Sequence, residues 1–218
     1  MLNWLVRFAP IVRYLPRMGI TNVLEVGSGS FGLAEFVSFP VTGCDVSFPT
    51  ECHERLRPVI GSITALPFDD DAFQCVVCLD TLEHLAPGQR DVGIRELIRV
   101  TAKHLIVGCP VGGLAQSMDS RMLQQFRIKN RTPPSWLVEH LENPFPRQAE
   151  IAATLEDAGL TYRAINNEPL LMHYPLTRVE NSHFEPILNR FSKNKFLRHR
   201  MPNVAFGPAY RVIFFAHK

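Results

Sequence analysis

The stretch "NVLEVGSGSFGLAEF", Asn22 to Phe36, decides how this chain is read. Val23, Leu24 and Val26 form a short apolar run ended by a glycine, which predicts a buried strand. Gly27, Gly29 and Gly32 then spell G-x-G-x-x-G. Small residues at a strand end let a ligand approach the backbone, and the following turn opens a helix, predicted over Gly32 to Val37. Glu25, a carboxylate, stands two residues before the first glycine.

The rest of the chain repeats this rhythm. "VTGCDV" (41–46) and "PVIGSI" (58–63) read as the second and third strands, with the charged residues 50–57 between them read as helical. "LPFDDDAF" is a polar turn between apolar anchors. "FQCVVCLD" (73–80) is a continuous apolar run, as a strand covered on both faces should be. Gln89 to Thr101 reads as a helix with Ile94, Leu97 and Ile98 on one side, and "HLIVGCP" as the fifth strand. Strands alternating with helices predict a doubly wound, Rossmann-like α/β sheet, mostly parallel, with helices on both faces.

After Pro110 the rhythm breaks. A helix around Met118 to Ile128 and the segment "PPSWLVEHLENPFP" (133–146) are read as an insertion after strand five, forming a lid over 112–145. Regular structure resumes with a helix from Arg147 to Ala158, the strand "LTYRAIN" and a last strand "AYRVIFFAHK". Residues 1–20 read as one or two short helices, Pro10 starting the second. Residues 169–206 read as irregular and basic. The expectation is one domain over 1–218.

Composition narrows the class. The chain has 218 residues, 46% hydrophobic and 20% charged, with apolar material for a real core. The net charge is +2, unevenly spread: residues 1–24 hold three arginines and no acid, and residues 186–218 hold seven Lys/Arg and no acid. Basic ends on an acidic body point to an anionic partner or surface, or to the ordinary charge fluctuation of short windows. The five cysteines show no disulfide spacing, which fits a reducing cytoplasm. Cys75 and Cys78 sit inside a strand that sends them to opposite faces, so they are read as core rather than as a redox or zinc pair. No apolar stretch approaches the ~20 residues of a membrane span, and the N-terminus lacks a signal-peptide core.

Two ligands fit the glycine turn. A dinucleotide places its pyrophosphate at the helix N-terminus and its ribose on an acid after the second strand, where Asp45 stands. Glu25 separates the two readings, because a carboxylate beside the turn repels a pyrophosphate. It suits a ligand with a cationic amino group and no phosphate, such as S-adenosylmethionine (SAM).

Four blocks in order carry a family resemblance: "VLEVGSGSFG", "VTGCDVS", "GSITALPFDDDAFQCVVCLDTLEHL" and "ELIRVTAKHLIVGCP", within residues 22–110. Together they resemble the class I SAM-dependent methyltransferases, especially their methyltransferase-11-type group. The resemblance implies an antiparallel last strand, SAM as cofactor and S-adenosylhomocysteine as product. It implies that Glu25 faces the methionine end of SAM, with Gly27, Ser28 and Gly29 forming the turn. Asp45, followed by Val46, accepts both ribose hydroxyls. Ser62 and Ile63 border adenine, and Asp80 ends strand four, where ligands gather; as a plain structural residue it would cap the next helix. Two departures stand out: Phe31 replaces a frequent third glycine and is expected to narrow the entrance, and Ser62 replaces a frequent Asp, weakening the adenine contact.

A sulfonium methyl is already activated, so transfer asks mainly for alignment. His84 is the candidate general base if the acceptor is a hydroxyl, or else a histidine that orients its loop. Trp136 and His140, four apart on one helix face, are candidates to line the acceptor pocket or to pack the insertion. Glu83-His84 and Glu139-His140 are paired metal-capable residues, but without further spaced ligands no metal is expected. The segment 1–19 is read as a cover over the cofactor. Alternatively Trp4, Leu5, Phe8, Ile11 and Leu15 against arginines form an interfacial face, joined on anionic lipid by the basic tail. The expected acceptor is a small molecule or a glycan- or lipid-linked intermediate, reached in the cytoplasm with peripheral membrane contact; no nucleic-acid partner is expected. The rival readings are a non-catalytic SAM-binding partner module and an NAD-type oxidoreductase.

Overall fold

A computed structural model describes residues 2–173 and 206–218. In chain order the elements are α1 (Leu2–Arg17), β1 (Val23–Val26), β2 (Val41–Asp45), β3 (Leu56–Ile60), β4 (Phe73–Leu79), α2 (Pro87–Val100), β5 (Thr101–Pro110), α3 (Gly112–Ile128), α4 (Ser135–Glu139), α5 (Gln148–Asp157), β6 (Thr161–Pro169) and β7 (Ala209–His217). Single 3₁₀ turns occupy Gly32–Glu35 and Leu82–His84.

The strands form one sheet in the order β3-β2-β1-β4-β5-β7-β6. The first five are parallel, and β7 runs antiparallel to both β5 and β6. Period-two alternation divides the core. Leu24, Val26, Val76 and Cys78 face one side, covered by Ile94, Leu97 and Ile98 of α2 and Ile151 and Leu155 of α5. Val23, Cys75, Val77 and Leu79 face the other, covered by Leu5, Phe8, Ile11 and Leu15 of α1. The two cysteines of "CVVC" therefore lie in different cores, both buried. The doubly wound sheet, its antiparallel β7 and helices on both faces are as the sequence predicts.

Three local expectations are corrected. First, residues 2–17 form a single helix with Pro10 inside it, not two helices. Proline removes the bond to the carbonyl four residues back, here Val6. That carbonyl is satisfied instead by the Asn167 side-chain amide at 3.1 Å, so burial of the apolar face holds the helix across the proline. The same burial takes Leu5, Phe8, Ile11 and Leu15 into the core, so they form no interfacial face. Second, Gly32–Glu35 is a four-residue 3₁₀ turn, not a helix reaching Val37. Only fourteen residues separate β1 from β2, and Pro40 ends the linker. Third, residues 50–57 are irregular up to the start of β3 at Leu56, with Pro49 and Pro58 bounding them. The β1–β2 and β2–β3 connections thus lack full helices.

Two smaller differences concern the later segments. α3 begins at Gly112, six residues before the expected Met118, and α4 adds one short turn. Most of the basic segment 169–206 lies outside the described residues. Among the described residues no helix is long and apolar enough to cross a membrane.

Candidate active site

In a parallel sheet the strand order reverses where neighbouring crossovers go opposite ways, and a crevice opens there at the carboxyl ends of the strands. Here β1 lies between β2 and β4. A cavity of about 610 Å³ sits at the ends of these strands, within the range of small-molecule sites.

The glycine turn forms its floor. Gly27 (φ +74°) and Gly29 (φ +54°) hold left-handed backbone. They serve different needs. A Cβ on Gly27 would lie 2.0 Å from the Thr81 hydroxyl, so glycine there lets the turn pack on the loop after β4. A Cβ on Gly29 would meet no protein atom within 4 Å, and this residue borders the cavity. The third glycine has another purpose again: a Cβ on Gly32 would lie 2.2 Å from the Glu25 carboxylate. Glu25 Oε2 accepts the Leu33 N–H at 2.7 Å and so closes the first turn after the loop. Burial pushes its carboxyl up to about 8, against the pull of that backbone N–H.

Asp45, at the end of β2, is held before any ligand arrives. Its Oδ2 accepts the Gly29 N–H at 2.9 Å and its Oδ1 accepts the Val46 N–H at 2.7 Å. Each oxygen keeps a lone pair for a further donor. Ser62 pairs its hydroxyl with Thr64 Oγ1 at 2.8 Å, while Ile63 packs its side chain into the core near Gly93. This turn is clamped from α2. Glu96 accepts the Leu66 N–H at 2.9 Å, and Arg99 donates to the Leu66 and Phe68 carbonyls at 3.0 and 2.8 Å.

Glu25, Gly27, Ser28, Gly29, Asp45, Val46, Ser62, Ile63, Asp80, His84 and Trp136 all border this one cavity. His140 does not. It is 7% exposed and lies behind Trp136, with ring centroids 5.1 Å apart. Phe31 does not narrow the entrance. It is 45% exposed, is absent from the cavity wall and rests edge-on against His53, because the turn at Gly32 carries it outward.

Asp80 does not take the alternative cap role, since the N-cap position of the 3₁₀ turn that follows is Thr81, with no side-chain cap. Its carboxylate instead takes a bidentate grip from Arg211 at 2.5 Å on each oxygen, and Arg7 adds a contact at 2.8 Å. Burial alone would raise this carboxyl, but the two guanidinium groups override it and hold it near 2. Arg211 continues to Glu168 at 2.8 Å and Asn167 at 3.1 Å. A bidentate pair in a buried setting fixes the end of β4 relative to β7 and α1. Trp4, Arg7 and Phe8 bring α1 to the cavity wall, where the N-terminal cover is expected.

Arg211 is the main residue that sequence reading passes over. A lone arginine inside "AYRVIFFAHK" is a buried charge that must find carboxylates, and this is the signal that could reveal it. Asp119 carries a weaker signal. It is buried on α3, accepts Tyr210 Oη–H at 2.8 Å and pairs with His140 Nδ1 at 2.9 Å. Burial would raise its carboxyl, but hydrogen bonds from His140 and His173 hold it below the usual range.

Comparison with known proteins agrees with this geometry. Residues 24–109, about two-fifths of the chain, match a family profile described as a methyltransferase domain. No curated protein matches the sequence. Solved structures share the fold at low identity. Magnesium protoporphyrin IX methyltransferase from Synechocystis, determined with bound S-adenosylhomocysteine, is 15% identical with a TM-score of 0.58, covering 100% of this chain and 84% of that one. A sarcosine dimethylglycine methyltransferase, so designated, from Galdieria sulphuraria is 16% identical with a TM-score of 0.56, covering 97% and 84%. The [4+2]-cyclase SpnF is 15% identical with a TM-score of 0.53, covering 98% and 80%. The last shows that the fold does not fix the reaction. SAM is the cofactor of the matched family, and two carboxylates, Glu25 and Asp45, stand at the cavity wall. Residues 24–109 thus match a methyltransferase-domain profile, and the chain has the fold of the class I SAM-dependent methyltransferases.

Proposed function

We propose that this protein transfers a methyl group from SAM to an oxygen or nitrogen of a small molecule or carrier-linked acceptor. The observation that carries the proposal is the pairing of two carboxylates on one cavity: Asp45, oriented by two backbone amides, and Glu25, buried at the glycine turn. The first suits a ribose diol and the second a cationic amino group; neither suits a pyrophosphate. SAM supplies an activated methyl group when bound. The chain's own residues align the two reactants and exclude water, which can provide most of the acceleration. Asp80, saturated by Arg211 and Arg7, braces the end of β4 rather than reaching for the ligand.

Glu25 links cofactor binding to protons. Its folded-state carboxyl lies near 8, against 4.5 as the ordinary value. Between these values the folded protein holds a proton that the unfolded chain has lost. The ligand-free protein therefore loses stability as pH rises through that window. An ammonium brought to the turn favours the carboxylate, so S-adenosylhomocysteine binding near pH 7 releases a substantial fraction of one proton. Calorimetry in two buffers of different ionisation enthalpy reads this release. It disappears in Glu25→Gln, and a buffer-independent enthalpy in the wild type removes Glu25 from the ammonium site.

His84 lies at the acceptor side of the cavity, its side chain one-third exposed. Burial and the neighbouring His140 lower its pKa, which keeps the imidazole neutral and able to take a proton from a hydroxyl. His84→Ala lowers turnover by about 10²–10⁴-fold and leaves S-adenosylhomocysteine affinity unchanged. Full turnover in this variant sinks the assignment.

The reaction is tested with methyl-labelled SAM and an extract of the source cells, divided into organic and aqueous phases. Enzyme-dependent label supports the proposal, and the phase that carries it separates lipid-linked from water-soluble acceptors. No transfer in any extract, together with tight S-adenosylhomocysteine binding, favours a non-catalytic SAM-binding module instead.

A further inference from the structure

We propose that Glu83, His84 and His140 bind a divalent transition-metal ion on the acceptor side of the cofactor cavity. One ligand atom from each residue lies within 4.8 Å of the others. Glu83 and His84 are neighbours on the 3₁₀ turn after β4, and His140 ends α4, so two separate elements converge.

The observation that points to a ligand is the state of Glu83. Its side chain is 0% exposed, and neither carboxylate oxygen has a hydrogen-bond partner. A buried carboxylate left this way is costly and demands an explanation. His140 Nε2 stands 3.7 Å from Glu83 Oε1, a gap too long for a hydrogen bond. The carboxylate therefore faces two imidazoles without bonding either.

The surroundings orient His140 as a ligand. Its Nδ1 lies 2.9 Å from Asp119 Oδ2, and an ionised carboxylate can only accept, so Nδ1 carries the hydrogen. That leaves the Nε2 lone pair on the side of Glu83. Tyr210 Oη–H donates to the same Asp119 oxygen at 2.8 Å and holds it in place. A carboxylate behind a ligating imidazole is the usual support for such a ligand, fixing its tautomer and raising its basicity. His84 opens the group to solvent. It borders the cavity, and its Nδ1 lies 3.6 Å from Glu139 Oε2, which offers a further oxygen at the rim.

Two imidazoles and one carboxylate suit Zn²⁺, Mn²⁺, Fe²⁺ or Co²⁺ better than Mg²⁺ or Ca²⁺, which favour all-oxygen sites. Such a set leaves coordination positions open, and His84 is the one of the three that borders the cavity. Sequence spacing alone gives no metal, because the third ligand lies more than fifty residues away and is brought in only by the packing of α4. The ion would make the acceptor a hydroxyl compound: it polarises the oxygen and eases loss of its proton, taking over the role given above to free His84. This use rests on the methyltransferase reading; the metal site itself does not.

The test is a titration of the chelator-treated 218-residue protein with CoCl₂, followed by visible absorption, and with ZnCl₂ by calorimetry. We expect one equivalent to bind. Glu83→Gln and His84→Ala should each weaken binding by about 100-fold or more, and Asp119→Asn by about 10–100-fold. The rise in melting temperature caused by S-adenosylhomocysteine reports folding of each variant. His84→Ala, on a partly exposed side chain, serves if the buried Glu83 variant fails that check. Absence of stoichiometric Co²⁺ and Zn²⁺ binding overturns the proposal, as does binding that survives in the folded variants. Metal binding by a protein that ignores S-adenosylhomocysteine keeps the site and defeats the methyltransferase reading instead.

Discussion

Replacing Asp45 by alanine lowers the affinity for S-adenosylhomocysteine by about 100-fold or more. Two charge-assisted bonds to a ribose diol are worth about 1.5 kcal/mol or more each, and the variant loses both. It loses a second thing as well. The same carboxylate ties down the Gly29 and Val46 amides at 2.9 and 2.7 Å, so without it the glycine turn is no longer held in its binding shape. Part of the affinity therefore goes to ordering a loop that the wild type presents already ordered. Titration calorimetry of the two proteins measures the ratio. A change smaller than threefold removes Asp45 from the ribose.

The largest effect on stability comes from a residue away from the glycine turn. Arg211→Met leaves Asp80 and Glu168 buried without their principal cation. Taking one partner from a buried ion pair costs about 3–5 kcal/mol, because the remaining charges are not solvated and have lost their strongest counter-charge. In a protein of this size that lowers the melting temperature by about 10 °C or more. Arg7 still touches Asp80 at 2.8 Å and His173 still touches Glu168 at 2.7 Å, so the loss falls on the tie that Arg211 makes between the end of β4, β6 and β7. The wild type carries a pH signature of the same network. Asp80 is held near 2 against an ordinary 3.8, so its contribution is present above the ordinary value and is lost as pH falls toward 2. A denaturant series over acid pH on both proteins follows this. An Arg211→Met cost below about 1 kcal/mol would mean that desolvation cancels the attraction in this network.

The sheet was legible because its signals are local. Apolar runs such as "FQCVVCLD" and "HLIVGCP" read as buried strands whatever surrounds them, and β4 and β5 lie where those runs predict. That Glu25, the glycines and Asp45 would share one cavity was legible for a related reason: each sits at a strand end, and parallel order brings those ends together. The connections failed where tertiary packing overrode local chemistry. Pro10 reads as a helix start, but Asn167, far along the chain, takes the carbonyl that proline leaves open. The charged residues before β3 read as a helix, but flanking prolines leave no room for one. The cluster of Glu83, His84 and His140 was least legible. Glu83 is orphaned, and Asp119 turns His140 toward it, only because α3 and α4 pack beside the 3₁₀ turn; nothing in the spacing of these residues announces it. Arg211 stood in plain view as a charge in an apolar strand, but its partners come from β4 and β6, and sequence alone does not pair them.

The most direct test of the account is a melting scan of the purified protein with S-adenosylhomocysteine and, separately, with NAD. At 100 times its dissociation constant a ligand adds about 2.7 kcal/mol, a rise of several degrees in a chain of this length. The account predicts that rise with S-adenosylhomocysteine, its loss in Asp45→Ala, and no change with NAD. Stabilisation by NAD with none from S-adenosylhomocysteine would contradict it.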